Sequence, residues 1–245
     1  MLIDAYDNYE SYMPWCLPLH WLWRWALSQS TAITAAGPGL LSLLARFYKG
    51  RNKRVIEMCA DPQFTRESKI EARDSLNLPL DRYLIAYTGS LSVGRGVKEL
   101  IAVIDRLREA RPEILWTFTG ATNRNVSLPE NCLHLGYVED AQVVDVLRSA
   151  DLVVSINKPG SFGDYGYPVK IYEALAVGVP VLAFCTESTN FVMRRHLTGL
   201  TKFGDIDAMV KNISSTLEEP YEVITDVSGW AAQVESLRQG LLDWH

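Results

Sequence analysis

Residues 83–119 read YLIAYTGSLSVGRGVKELIAVIDRLREARPEILWTFT. Tyr83–Thr88 is a short apolar run closed by Gly89 and reads as a buried strand. Val97–Ala110 then carries Leu100, Ile101, Ile104 and Leu107 at helical spacing. Residues 115–119 form a second apolar run, which also ends in a glycine, Gly120. Strand, helix and strand in this order make a βαβ unit, whose strands lie parallel.

The same alternation continues outward. Residues 132–135 make a short strand before Gly136, and Asp140–Ser149 a helix with Asp140 as its N-cap. Residues 152–156 are a strand, 168–177 a helix and Val181–Phe184 a strand, and helices over 205–217 and 227–241 close the chain. This pattern predicts an α/β fold, a Rossmann-like open parallel sheet with helices on both faces, in a compact unit over about 60–215. Residues 1–50 fit it less well. They hold a tryptophan-rich helix, one strand at Ala32–Ala35 and a helix over 40–48. One strand cannot make a sheet, so this region must lean on something else.

Composition narrows the function classes. With 245 residues, 48% hydrophobic and 22% charged, the chain is an ordinary globular one. Its net charge of −5 argues against broad binding to a nucleic-acid backbone. The four cysteines, Cys16, Cys59, Cys132 and Cys185, form no CxxC pair, so neither a zinc site nor a disulfide framework is expected. They read as reduced thiols of a cytoplasmic protein, and the first residues do not resemble a signal peptide.

Four of the seven tryptophans fall within residues 15–27. The segment contains Pro18, His20 and Arg24 and is shorter than the ~20 apolar residues a membrane-spanning helix needs. It reads as a helix buried on most sides, with an interfacial membrane contact as the alternative. The histidines His20, His134, His196 and His245 read as structural or surface residues.

Ligands of open α/β sheets bind beyond the carboxyl ends of the strands. Three glycine-bearing loops fall there. In the first, residues 88–98, Gly89 turns the chain after the strand, and Gly94 and Gly96 flank a single cation, Arg95. A guanidinium before a helix N-terminus suits a diphosphate, although such a loop can also be a plain tight turn. The second, Gly136-Tyr137-Val138, is short. The third is Ser161-Phe162-Gly163-Asp164-Tyr165-Gly166-Tyr167-Pro168-Val169-Lys170-Ile171-Tyr172-Glu173. There Pro168 is pre-set for the first helical turn, and the free N–H groups of Val169 and Lys170 point at whatever anion lies before them. Glu173 reads in two ways: a carboxylate accepting from ribose hydroxyls, or half of a surface ion pair with Lys170.

Taken together, Gly89-Ser90-Leu91 with Arg95-Gly96, then Gly136-Tyr137-Val138, then Pro168-x-Lys170-x-x-Glu173-Ala174-Leu175-Ala176-x-Gly178-x-Pro180-Val181 resemble the donor-binding domain of retaining GT-B glycosyltransferases, the family-4 group. Residues 32–40 and 55–64 are similar to the end of that family's N-terminal domain and to its interdomain turn. The resemblance implies a remnant of an acceptor-side domain over 1–60. It implies a nucleotide-sugar-binding domain over 61–217 and a C-terminal helix over 218–245 that packs back toward the N-terminal part.

The implied activity is transfer of a hexose from a nucleotide diphosphate sugar to a sugar or lipid-linked acceptor, with retention at the anomeric carbon. In the implied site Arg95 and Glu173 are catalytic. Gly89, Ser90, Arg95 and the amides of Val169 and Lys170 take the diphosphate. The backbone around Tyr137 and Val138 faces the base, Glu173 the ribose, and the backbone of Gly166 and Tyr167 the sugar, with Gly120 and Asp164 also in the donor-binding set. Ser90 stands where many members have Arg. Tyr165, beside Asp164, stands where many have a second Glu, and the usual catalytic-side His has no counterpart. No cofactor or metal is implied. Two other readings remain: a non-catalytic nucleotide-sugar-binding subunit that needs a second chain, and a sugar-nucleotide epimerase. An incomplete N-terminal sheet would further leave residues 15–27 uncovered, for self-association or peripheral membrane contact.

Overall fold

The computed structural model describes residues 1–91, 95–121, 126–225 and 229–243, with residues 241–243 described by their backbone alone. Ser92, Val93 and Gly94 of the first glycine loop and residues 227 and 228 at the start of the last helix lie outside these.

The N-terminal part corrects the expectation of a lone strand. β1 (Leu2–Ala5), β2 (Ala32–Ala35) and β3 (Lys53–Val55) pair in parallel, in the order β1-β2-β3. β1, Leu-Ile-Asp-Ala, is largely exposed and interrupted by Asp4, and β3 has only three residues, so neither stands out as an apolar run as β2 does. Between them run α1 (Leu17–Gln29) and α2 (Pro38–Leu44), the latter starting earlier and ending sooner than 40–48. The helix α1 is not buried on most sides. Leu27 is its one buried residue, and Trp21 and Trp25 are 69% and 52% exposed.

After α3 (Lys69–Ser75) the chain enters a six-stranded sheet. It runs through β4 (Tyr83–Thr88), α4 (Val97–Ala110), β5 (Ile114–Thr119), β6 (Cys132–His134), α5 (Asp140–Ser149) and β7 (Leu152–Ser155). Then come α6 (Val169–Ala176), β8 (Val181–Phe184), α7 (Glu187–Val192), β9 (Leu200–Thr201), α8 (Ile206–Glu218) and α9 (Trp230–Asp243). All pairings are parallel, in the order β6-β5-β4-β7-β8-β9. The strand order reverses between β4 and β7, which is the switch point where open α/β sheets place their ligands.

Alternation along the strands divides the core. Leu152 and Val154 of β7 face the layer of α4 and α8, with Leu100, Ile104, Met209 and Ile213. Val153 faces the other way, toward Val143, Ile171 and Ala174 of α5 and α6. That second cluster also takes in Leu27, Ile33, Leu40 and Tyr48 of the N-terminal part, so the two sheets share one core. The last helix returns to residues 54–61: Arg54 donates to the Ser236 carbonyl, the Glu57 N–H to Gln233 Oε1 and Trp230 Nε1 to Asp61.

Two caps differ from the sequence expectation. Glu139, not Asp140, caps α5; its N–H reaches Gln142 Oε1 at 3.4 Å, so Asp140 is already in the first turn. Pro168 is the N-cap of α6, with extended φ/ψ, rather than its first helical residue. All four cysteines are free, and burial pushes the Cys59 thiol up to about 11 and the Cys132 thiol up to about 12. Among the described residues no helix is long and apolar enough to cross a membrane.

Candidate functional site

Beyond the carboxyl ends of β4 and β7 lies a crevice of about 320 Å³. Its floor is backbone. Gly89 turns out of β4 at φ +138°, and its N–H donates to the Thr119 carbonyl. Gly120 turns out of β5 at φ +97°; a Cβ there would sit 2.7 Å from the Gly89 carbonyl group. The Gly120 N–H in turn donates to the Gly136 carbonyl at 2.7 Å. The loops after β4, β5 and β6 are therefore knitted together, and residue 120 admits no side chain.

Arg95 stands on one wall. Its guanidinium lies 5.3 Å from the centre of the Phe162 ring, and among the described residues no carboxylate pairs with it. The start of α6 forms the facing wall. Among the described residues the Val169 and Lys170 N–H groups donate to no carbonyl or side chain, as the first amides of a helix must unless something caps them. The helix dipole adds partial positive charge at the same point. A cation and open amides around one crevice suit a di-anion.

Glu173 forms the ion pair with Lys170 but does not lie on the surface. The pair with Lys170 exists, Nζ lying 3.0 Å from Oε2 and donating to Oε1 at 3.3 Å. Yet the Glu173 side chain is only 9% exposed, and Oε2, despite that close approach, has no partner in hydrogen-bonding geometry. Burial pushes its carboxyl above the usual range, and Lys170 pulls it partly back. A buried acceptor with an open lone pair normally awaits a donor. Thr88 Oγ1, at the end of β4 in the crevice lining, is a second buried atom without a partner.

The structure brings Gly89, Ser90, Arg95, Gly166, Tyr167, Val169 and Lys170 onto one crevice, with Glu173 one turn down the same helix. It does not bring in Tyr137, which is 90% exposed, although its loop reaches the floor through Gly136. Asp164 turns away. It accepts from the N–H groups of Gly160 and Glu187 and lines a separate groove with Arg46 and Pro38. The Tyr167 side chain is buried and its hydroxyl accepts from the Gly39 N–H at 3.1 Å, docking the N-terminal part, while the residue also lines the crevice.

Sequence reasoning missed Asp7, Asn157 and Phe162, which also line the crevice. Asp7 follows β1 and accepts from Tyr12 Oη at 2.6 Å. A Cβ on Gly166 would meet its Oδ1 at 2.9 Å, so Gly166 is what lets the N-terminal loop approach. The Tyr12 hydroxyl is pushed up to about 12, chiefly by burial and by Asp7, with Arg95 opposing. Residues 2–5, Leu-Ile-Asp-Ala, gave little sign of the strand that carries Asp7 to the crevice.

Comparison with known proteins agrees with this architecture. A protein of Bacillus subtilis (strain 168) named as the teichuronic acid biosynthesis glycosyltransferase TuaC is 34% identical over 139 residues, which are 55% of this chain and 33% of that protein. Among solved structures, sucrose-phosphate synthase from Thermosynechococcus elongatus superposes with a TM-score of 0.77 at 17% identity, over 99% of this chain and 67% of its own. Anabaena Alr3699/HepE, solved with UDP and glucose, gives 0.72 at 17% identity, over 97% of this chain and 67% of its own. The chain thus spans a third of the curated relative and two-thirds of these structures, and the shared fold is that of the GT-B glycosyltransferases. The family model described as glycosyl transferases group 1 matches residues 68–228, the whole six-stranded sheet and the crevice it carries apart from Asp7, and on that match the chain belongs to the glycosyl transferases group 1 family.

Proposed function

We propose that the crevice between β4 and β7 binds a nucleotide diphosphate sugar, and that the chain carries the donor side of a retaining, family-4-like hexosyltransferase. The observation that supports this best is the meeting of Arg95, the open amides of Val169 and Lys170, and the buried, incompletely partnered Glu173 at one helix N-terminus. Arg95 and the amides take the diphosphate, and Glu173 accepts from the ribose hydroxyls. The backbone of Tyr137 and Val138 faces the base, and the backbone of Gly166 and Tyr167 lies by the sugar.

When the bond from the anomeric carbon to the diphosphate oxygen breaks, negative charge grows on the departing group. Arg95 and the α6 amides are already in place to stabilise that charge, without a metal. Retention requires the acceptor hydroxyl to arrive on the face the diphosphate leaves. The uridine nucleotide in the Anabaena structure makes UDP the first probe. Calorimetry with UDP, GDP and ADP should show one of them binding to the chain, and binding by none would remove the donor-site reading.

A second reading is a nucleotide-sugar-binding subunit active only with a second chain. The two differ in turnover. The first expects slow hydrolysis of the bound UDP-sugar by the chain alone, and the second expects binding without hydrolysis until a partner is added.

A further inference from the structure

The helix α1 is amphipathic the wrong way round for a soluble protein. Its inner side is set by Leu27, which is buried, and by Trp23, which packs edge-on against Tyr9 at 5.3 Å. Leu17, Trp21 and Trp25, spaced by four, share the outer side with Leu22, and all four are more than half exposed. Trp15, 77% exposed, extends that face upstream. The only cation of the helix, Arg24, is held at its flank by both carboxylate oxygens of Glu10 and lies over the Phe47 ring. The outer face therefore carries aromatic and aliphatic groups and no charge.

Beside it lies a basic turn. Five of the chain's 24 lysines and arginines fall within residues 46–54 with no acid among them, on a chain of net charge −5. Arg46, Lys49, Arg51 and Lys53 are exposed and form no ion pair among the described residues. The turn is fixed to the end of α1: Tyr48 Oη donates to the Thr31 carbonyl at 2.8 Å, and Asn52 Nδ2 reaches the same oxygen at 3.4 Å.

Tryptophan with leucine on one face suits the interface of a bilayer, where the indole ring is buried and its N–H stays wet. Lysine and arginine beside such a face are drawn to anionic headgroups. A second copy fits less well, because a two-fold contact sets each patch against itself and would bring basic turn toward basic turn. We propose that α1 and the 46–53 turn form a peripheral docking surface for a bilayer containing anionic lipid. This stands apart from the donor-site reading, since none of its residues lines the crevice.

Flotation with vesicles of phosphatidylcholine, alone or with about 30% phosphatidylglycerol, tests it. The chain should float with the anionic vesicles, with a blue shift in tryptophan emission, and binding should weaken as salt rises from about 0.1 to about 0.5 M. Trp21→Ser with Trp25→Ser should lower partitioning by about tenfold or more. Lys49→Glu, Arg51→Glu and Lys53→Glu together should lower it at least as far. All five side chains are exposed, so circular dichroism melting should be unchanged in both variants. Failure to float with anionic vesicles overturns the proposal, as does equal flotation of the tryptophan variant. A dimer that the tryptophan variant dissociates and that ignores vesicles would overturn it in favour of a contact between copies.

Discussion

Glu173 is under two opposed demands. Its burial raises the carboxyl above its ordinary range, so the folded state holds the proton more tightly than the unfolded chain does. The sign follows directly: the buried carboxylate costs stability at neutral pH, and that cost disappears as pH falls below the unfolded value of about 4.5. Lys170 offsets little of it, being 39% exposed in a pair of the kind worth about 0–1 kcal/mol. Glu173→Gln should therefore melt at or above the parent temperature at pH 7–8, with the gap closing toward about pH 4.5. In the donor-site reading the same variant binds UDP more weakly, because an amide offers the ribose one acceptor fewer. Loss of stability together with unchanged UDP binding would return Glu173 to a structural ion pair. Arg95 gives the complementary case. Exposed to the crevice and without a carboxylate partner among the described residues, it can be removed at small cost to the fold. Arg95→Ala should weaken UDP binding by about 1.5–3 kcal/mol, roughly 10- to 150-fold, in the same titration.

At the scale of elements, the glycine loops bind β4, β5 and β6 into one floor, and Gly120 is the tightest joint. An alanine there would need a positive φ and a Cβ 2.7 Å from the Gly89 backbone, and neither neighbour is a side chain that could swing aside. Gly120→Ala should cost about 2 kcal/mol or more in chemical denaturation and also weaken UDP binding, since the Gly89 loop must shift. A variant as stable as the parent would mean that the floor is more compliant than its hydrogen bonds suggest. The same elements show what sequence could and could not reveal. The strands β4, β5, β7 and β8 are buried on both faces and so read as apolar runs ending at a turn. Helices α4 and α8 carry a plain apolar stripe. By contrast β1 is largely exposed and interrupted by Asp4, while β3 and β9 have three and two residues and α3 and α7 only seven and six, too few for any period to show. The site followed the same division. That Arg95 and the start of α6 meet at one crevice was legible because strand, glycine and helix follow one another in the chain. Asp7 was not, because it reaches the crevice only when β1 docks against the loop at Gly166. For Trp21 and Trp25 the sequence offered two opposed expectations, a helix buried on most sides and an uncovered patch, since composition cannot say which face of a helix the protein covers.

For the whole molecule, the division suggested by sequence at residue 60 meets a core that crosses it. Leu27, Ile33 and Leu40 lie in the same buried cluster as Tyr167, Ile171 and Ala174. The Tyr167 ring fills the space over Gly37, where even a Cβ would come within 2.0 Å of it. Arg194 pairs with Glu57, and α9 bonds back to residues 54–61. Three short strands could not persist alone if this cluster opened, and the six-stranded sheet would then expose the inner side of α6. Unfolding should therefore be one cooperative transition, with equal calorimetric and van't Hoff enthalpies near about 170 kcal/mol at roughly 0.7 kcal/mol per residue. A nucleotide bound in the crevice touches α6 and, through Asp7, the N-terminal loop, so it should move that single transition as a whole. At a UDP concentration about 100 times Kd the gain is about 2.7 kcal/mol, which for a chain of this size is about 5–10 °C. Scanning calorimetry with and without UDP decides the matter. Two resolved transitions, with UDP moving only the upper one, would mean that the N-terminal sheet melts independently and that the shared core does not couple the two parts.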